Sequence, residues 1–259
     1  MDITNAQRAK ILVEALPYIQ NYTGKIIVIK YGGNAMVSEE LKNQVMEDIV
    51  LLSLVGVKVV LVHGGGPEIT DLLSKIGKKS EFVDGLRVTD KETADVVQMV
   101  LAGKVNKSLV NLIGVKGGSA MGNSGIDDHL IPVISTVACD REVNVYNINA
   151  DTAAAYIAGA MRAESLITMT DIAGILRDRD DPSSLIPCID LAEADQLFCD
   201  KVISGGMIPK VECCIEAIHR GVRKVVIMDG RVPHAILIET LTDEGAGTMV
   251  VEDKNNGHF

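Results

Sequence analysis

At 259 residues the chain can bury a full core, as one large α/β domain or two fused lobes, and 47% apolar against 23% charged residues is an ordinary soluble composition. Its 25 Lys and Arg against 35 Asp and Glu leave a net charge of −10, which argues against nucleic acid as a partner; a nucleotide needs only two or three local cations. No apolar run reaches the ~18 residues of a membrane span, and the N-terminus lacks the basic cap and apolar stretch of a signal peptide.

In chain order, residues 5–22 read as an amphipathic helix with Ile11, Leu12, Ala15, Leu16 and Ile19 on one side and Pro17 bending or ending it. It precedes the first core strand, so residues 1–24 are an appendage to the body at 25–259. Four consecutive β-branched residues, Ile26 to Ile29, form a buried strand that breaks into Lys30, Tyr31, Gly32 and Gly33. Ser38 caps the next helix with Glu39 and Glu40 in its first turn; Leu41, Val45, Ile49 and Leu52 face inward, and Gly56 stops it. Residues 57–62 repeat the design, an apolar strand opening into His63-Gly64-Gly65-Gly66-Pro67, with Gly77 closing the helix that follows.

Asp84-Gly-Leu-Arg-Val-Thr89 is a polar connection, and Thr89-Asp-Lys-Glu92 matches a capping box that launches a long helix to about Ile113. Glycines 117, 118, 122 and 125 punctuate a loop-rich stretch before a strand at 132–137. Asn147-Ile-Asn-Ala-Asp151 leads into a small-residue helix at 152–163, and a buried strand at 166–170 ends in Asp171. A charged loop at 177–184 reads as solvated. Ser204-Gly205-Gly206 precedes a helix at 209–220, followed by a strand at 222–228, a helix at 232–241 and a strand at 248–251. This alternation predicts an α/β fold: an open, mainly parallel sheet sandwiched between helices.

Neither a Walker loop nor a Gly-x-Gly-x-x-Gly fingerprint is present. Glycine clusters stand instead at three strand-to-helix junctions (32–33, 64–66 and 205–206), with Lys30 and Lys210 beside two of them. Phosphoryl transfer needs positive charge on the equatorial oxygens and little covalent help, so two lysines plus backbone N–H groups suffice. Asp151, at the start of a helix, is placed to hold both ammonium groups. Read singly, Arg87 is compatible with a surface ion pair, His63 packs under its glycine turn, Cys213 and Cys214 serve helix packing, and Met121 and Met207 are core. The five cysteines are odd in number and form no Cys-x-x-Cys pair, which suits reduced thiols in a cytoplasmic protein; the scattered histidines suggest no metal site.

These stretches, with Gly205-Gly-Met-Ile-Pro-Lys210 and residues 242–248, resemble the amino-acid kinase family, and within it the arginine-sensitive acetylglutamate kinases. The resemblance implies transfer of the ATP γ-phosphoryl, with Mg2+ bridging the phosphates, to the side-chain carboxylate of N-acetyl-L-glutamate. It implies catalytic roles for Lys30, Lys210 and Asp151, an acceptor site at Gly65, Gly66, Arg87 and Asn147, and ATP contacts at Gly32, Gly33, Asp171, Ser204, Gly205 and Gly206. Residues 25–165 then form the acetylglutamate and dimer lobe, and 166–259 the ATP lobe. The N-terminal helix would interlace dimers into a hexamer, with L-arginine held as an inhibitor by Tyr18, Glu239, Gly245 and Gly247.

Two departures stand out: Asn123 replaces an apolar residue, and a few tens of residues implied between Ile131 and Pro132 are absent. The expectation there is a chain break, with the two Cα atoms farther apart than the ~3.8 Å of a trans peptide. The open alternatives are a catalytically impaired, ligand-binding regulatory protein of the same fold and a kinase for another small carboxylate or carbamate.

Overall fold

The computed structural model describes residues 3–36, 38–83, 86–122, 130–142 and 144–256. In order these form α1 (Asn5–Glu14), α2 (Leu16–Tyr22), β1 (Ile26–Tyr31), α3 (Glu39–Leu54), β2 (Lys58–His63), α4 (Gly66–Lys75), β3 (Phe82–Val83) and β4 (Leu86–Arg87). Then come α5 (Lys91–Gln98), a π-helical stretch (Met99–Val105), α6 (Asn106–Val115), β5 (Ala120–Gly122), β6 (Ile131–Ser135), β7 (Val137–Cys139), β8 (Val145–Asn147) and α7 (Ala150–Ala160). The last part holds β9 (Ser165–Thr170), β10 (Cys188–Asp190), α8 (Leu191–Cys199), α9 (Ile208–His219), β11 (Lys224–Asp229), α10 (Ala235–Leu241) and β12 (Gly247–Val251).

Local chemistry accounts for most boundaries. The break between α1 and α2 falls at Ala15, where Pro17 enters the first turn of the second helix. Ser38 accepts from the Leu41 N–H and starts α3 as expected. The predicted box at Thr89 does not form: the stronger carboxylate acceptor next door, Asp90, caps α5 by accepting from the Thr93 N–H at 2.8 Å, while the Thr89 hydroxyl donates to the Arg87 carbonyl. The long helix then runs past Ile113 to Val115 through its π segment.

Eight strands form one sheet in the order β10-β12-β11-β9-β1-β2-β6-β5, parallel except for the β11–β12 pair. The expected lobe boundary at 165/166 falls inside β9. One face is covered by α3, α6 and α10, burying Val45, Ile49, Leu52, Leu109, Ile113 and Ile236; the other by α7 and α9, burying Ala154, Ala158, Val211 and Ala217. Strands β1, β2 and β9 are buried along nearly their whole length.

Strand β6 is different. Ile131, Val133 and Ser135 are buried, whereas Pro132 and Ile134 are only half covered. Met121, paired with Pro132 in the next strand, is 38% exposed, so it is not core, and Met207 is half-buried. The expected chain break is also absent, because Ile131 and Pro132 are consecutive residues of one strand. Asn123 lies outside the described residues. None of α1 is buried: Ile11, Leu12, Val13 and the nearby Leu16 stand exposed, so this stripe does not cover the chain's own core.

Candidate active site

Lys30 is the fifth residue of β1, at the C-terminal lip of the sheet, where open α/β folds hold ligands. Asn149 caps α7 by accepting from the Asp151 and Thr152 N–H groups, which fixes Asp151 in the first turn. The Asp151 carboxylate stands 2.9 Å from the Lys30 ammonium and 3.8 Å from that of Lys210 in α9. Burial alone pushes this carboxyl up, but the adjacent Lys30 and Lys210 charges win and hold it below its ordinary range. The predicted trio is thus one ionised cluster, with the acid as a positioner of two cations.

Glycine turns frame this cluster. The Gly64 N–H donates to the Tyr31 carbonyl at 3.2 Å, tying the exits of β1 and β2 together and bringing Gly32 against Gly64. Gly65 leaves no room for a side chain, since a Cβ there would stand 2.6 Å from Leu101 Cδ2 of the π segment. His63 lies beneath, its Nδ1 donating to the Gly64 carbonyl and its Nε2 accepting from the Asn106 amide, which also donates to the Val133 carbonyl. Burial lowers its pKa, so it is the neutral structural support that the sequence suggests.

Arg87 is drawn over the start of α4, donating to Ser80 Oγ at 2.6 Å, Thr70 Oγ1 at 2.8 Å and the Gly66 carbonyl at 3.1 Å, with its guanidinium over the Phe82 ring. These neutral partners replace the surface ion pair that Arg87 alone could suggest. Asn147 ends β8, which leads into Asn149 and Asp151.

On the other side of Lys210 a cavity of about 390 Å³ is lined by Asp171, Gly174, Arg179, Ser204, Gly206 and Met207, among others. It brings together Asp171, Ser204 and Gly206 of the predicted nucleotide set, whereas Gly205 is not in its lining and Gly32 and Gly33 lie at the exit of β1. Sequence reasoning missed Arg179, which donates to both the carbonyl and the hydroxyl of Ser204 across this cavity. It also missed the Asp229–Arg231 pair, next to Asp171 at the strand ends. Asn149 and Asn106 were readable only as polar residues near motifs.

The four predicted regulatory residues occupy the region of α2, α10 and β12. The Tyr18 hydroxyl bonds Asp243, and Glu239 Oε2 accepts from the Ala246 N–H at 2.9 Å, with Gly245 beside it. Gly247 has a packing reason of its own, because a Cβ would meet the Ile227 carbonyl.

Residues 25–229 match the model of the amino acid kinase family. The chain belongs to that family. Among relatives of this amino acid kinase, an acetylglutamate kinase from Brachyspira hyodysenteriae is 52% identical over 286 aligned positions, covering 97% of this chain and 99% of its own. One from Trichodesmium erythraeum is 50% identical, covering 94% and 95%. Since 97% of 259 residues is about 251, roughly 35 of the 286 positions aligned with the first have no counterpart here.

By fold, N-acetylglutamate synthase from Neisseria gonorrhoeae, complexed with coenzyme A and N-acetyl-glutamate, matches with a TM-score of 0.82 at 23% identity. The match covers 95% of this chain but only 63% of that one, so this chain spans under two thirds of the synthase. Carbamate kinase from Giardia lamblia matches at 0.63 and 19% identity, over 89% and 99% of the two chains. These likenesses concern the fold, the mainly parallel sheet between helices that the sequence predicts.

Proposed function

We propose that this amino acid kinase transfers the γ-phosphoryl of ATP to the side-chain carboxylate of N-acetyl-L-glutamate, giving ADP and an acyl phosphate for arginine biosynthesis. The observation that carries the reading is the Lys30–Asp151–Lys210 cluster, set between two glycine turns and the cavity below Lys210. In the transfer the bond from the γ-phosphorus to the β-bridging oxygen breaks and a bond to the acceptor oxygen forms. An acceptor carboxylate is already ionised, so no general base is required, and the work is electrostatic. Lys30 and Lys210 neutralise the equatorial oxygens, Asp151 holds both ammoniums, and the glycine turns at Gly33 and Gly65 would add backbone N–H groups to the same charge.

The acceptor's carboxylate end falls to Arg87, Asn147, Gly65 and Gly66; a guanidinium fork suits it. The nucleotide falls to Gly32, Gly33, Asp171 and Ser204 to Gly206. Magnesium would arrive on the phosphates and keep mostly water and phosphate oxygens as ligands. Residues 25–165 supply the acceptor lobe and 166–259 the nucleotide lobe of a cytoplasmic homo-oligomer; among the described residues no helix is long and apolar enough to cross a membrane. The uncovered stripe of α1 supports association through residues 1–24 into a hexameric ring of dimers, and the Tyr18–Glu239–Gly245–Gly247 region supports inhibition by L-arginine.

ADP formation measured with N-acetylglutamate, free glutamate and free aspartate tests the reading: turnover with the first alone is expected, and equal turnover with all three overturns it. The second reading, a ligand-binding protein without turnover, is favoured by the short connection between β5 and β6. Calorimetric binding of N-acetylglutamate with no ADP formed would select it.

A further inference from the structure

Residues 177–184, between β9 and β10, are tied into a compact loop. The Arg177 N–H donates to the Ser184 carbonyl and the Asp178 N–H to the Ser184 hydroxyl, while the Asp180 and Ser183 N–H groups donate to the carboxylates of Asp178 and Asp181. Arg179 stands on this loop with Asp178, Asp180 and Asp181 beside it in sequence, yet among the described residues none of the three pairs with it. Its Nη2 reaches across the cavity to a neutral residue instead, donating to the Ser204 carbonyl at 2.8 Å and to the Ser204 hydroxyl at 2.6 Å.

That choice decides what the turn before α9 offers to a ligand. The Ser204 carbonyl also accepts from the Met207 N–H at 3.2 Å, so both of its lone pairs are occupied. Among the described residues the Gly206 N–H has no partner, and neither do the Nε and Nη1 groups of Arg179. With Lys210, which lines the same cavity, this wall presents donors and positive charge while its acceptors are spent. The apolar side chains of Ile172, Ile175, Leu176 and Val202 line the rest, together with Asp171. Phosphate oxygens accept and carry negative charge, so an unoccupied carbonyl or hydroxyl lone pair beside them would repel, whereas a guanidinium and an ammonium attract.

We infer that Arg179 is a positioning residue for the phosphates of the bound nucleotide. By occupying the Ser204 carbonyl and hydroxyl it leaves only donors on that wall, and its charge adds to that of Lys210. The inference rests on the nucleotide reading given above and is independent of which acceptor the enzyme uses.

Calorimetric titration of the full chain with ADP, and competition of adenosine against a labelled ADP, test it. Arg179→Met should weaken ADP by about tenfold or more, the scale of hydrogen bonds to a charged group, and leave adenosine unaffected, because the apolar part of the cavity is untouched. Arg179→Lys keeps the charge and one donor, and should recover part of the loss. Arg179 is exposed, so the unfolding temperature, followed by circular dichroism, should stay where it is; a merely structural role would weaken both ligands alike. Unchanged ADP affinity in Arg179→Met, a loss that Arg179→Lys does not relieve, or an equal loss for adenosine each overturns the inference and leaves the nucleotide reading standing. Failure of the unaltered chain to bind ADP overturns both.

Discussion

The centre of the sheet and its β6–β5 edge are built from the same kinds of residue and end in different states. Strands β9, β1 and β2 are sealed on both faces, and their C-terminal ends deliver Lys30 and the glycine turns to the ionised cluster. At the edge α6 covers one side, while on the other Met121 is exposed, Pro132 is half-buried and Ile134 is half-buried against the cluster beneath α7 and α9. Two-sided cover is the rule for parallel sheets. The charge cluster is carried by the centre: Lys30 stands on β1, and Asp151 and Lys210 on the helices α7 and α9 that cover it.

The sharpest way to break this contrast is at the chemistry. Lys210→Ala is expected to lower kcat by roughly 10²–10³-fold while leaving N-acetylglutamate affinity nearly unchanged, as charge needed most in the transition state should. A coupled ADP assay with a substrate titration reads both numbers, and near-normal turnover would show that the cluster is structural only. Next comes packing. Leu61→Ala, in the doubly covered centre, should cost about 2–5 kcal/mol in urea denaturation, against about 1 kcal/mol for Ile134→Ala. Equal losses would mean that the edge is covered after all.

The covered face also carries an electrostatic burden. Asp48 of α3 is buried against His234, its Oδ1 accepting from Nδ1 at 2.6 Å. Burial pushes its carboxyl up to about 6, with the His234 contact offsetting only part of this. A carboxyl that titrates higher in the folded than in the unfolded state favours folding below its ordinary value, 3.8, and loses that contribution as pH rises through about 6. Stability should therefore fall by on the order of 1–3 kcal/mol across that window, and Asp48→Asn should flatten the dependence. Urea midpoints compared below and above the window measure it; an unchanged slope in the variant would assign the effect elsewhere.

The mildest change concerns the other uncovered surface, the stripe of α1. Removing residues 1–22 should leave turnover unchanged, reduce the assembly to dimers and abolish any response to arginine. A truncated protein that stays hexameric and arginine-inhibited contradicts the role proposed for this helix.

The centre was legible because β-branched runs and glycine exits are local signals: Ile26 to Ile29, Lys30 and Gly64 to Gly66 announce strand, lip and turn directly. Asp151 was readable from its place at a helix start. The strand expected at 132–137 is there but divided, with β6 ending at Ser135 and Val137 opening β7, a break that the apolar run does not announce. The π stretch at 99–105 carries no signal in the sequence that separates it from the α-helix on either side. Arg179 was assigned to solvent because a loop rich in charge gives no hint of which charge folds back.

That π stretch ties two distant positions into one unit of change. Leu101 and Val105 fill the space that any side chain at 65 would need. An alanine at 65 would press on the end of the Leu101 side chain, so Gly65→Ala should cost less beside a smaller residue at 101, and trimming Leu101 alone leaves a hole beneath the glycine turn. A library randomised at both positions should return correlated pairs, with glycine at 65 wherever leucine is kept at 101.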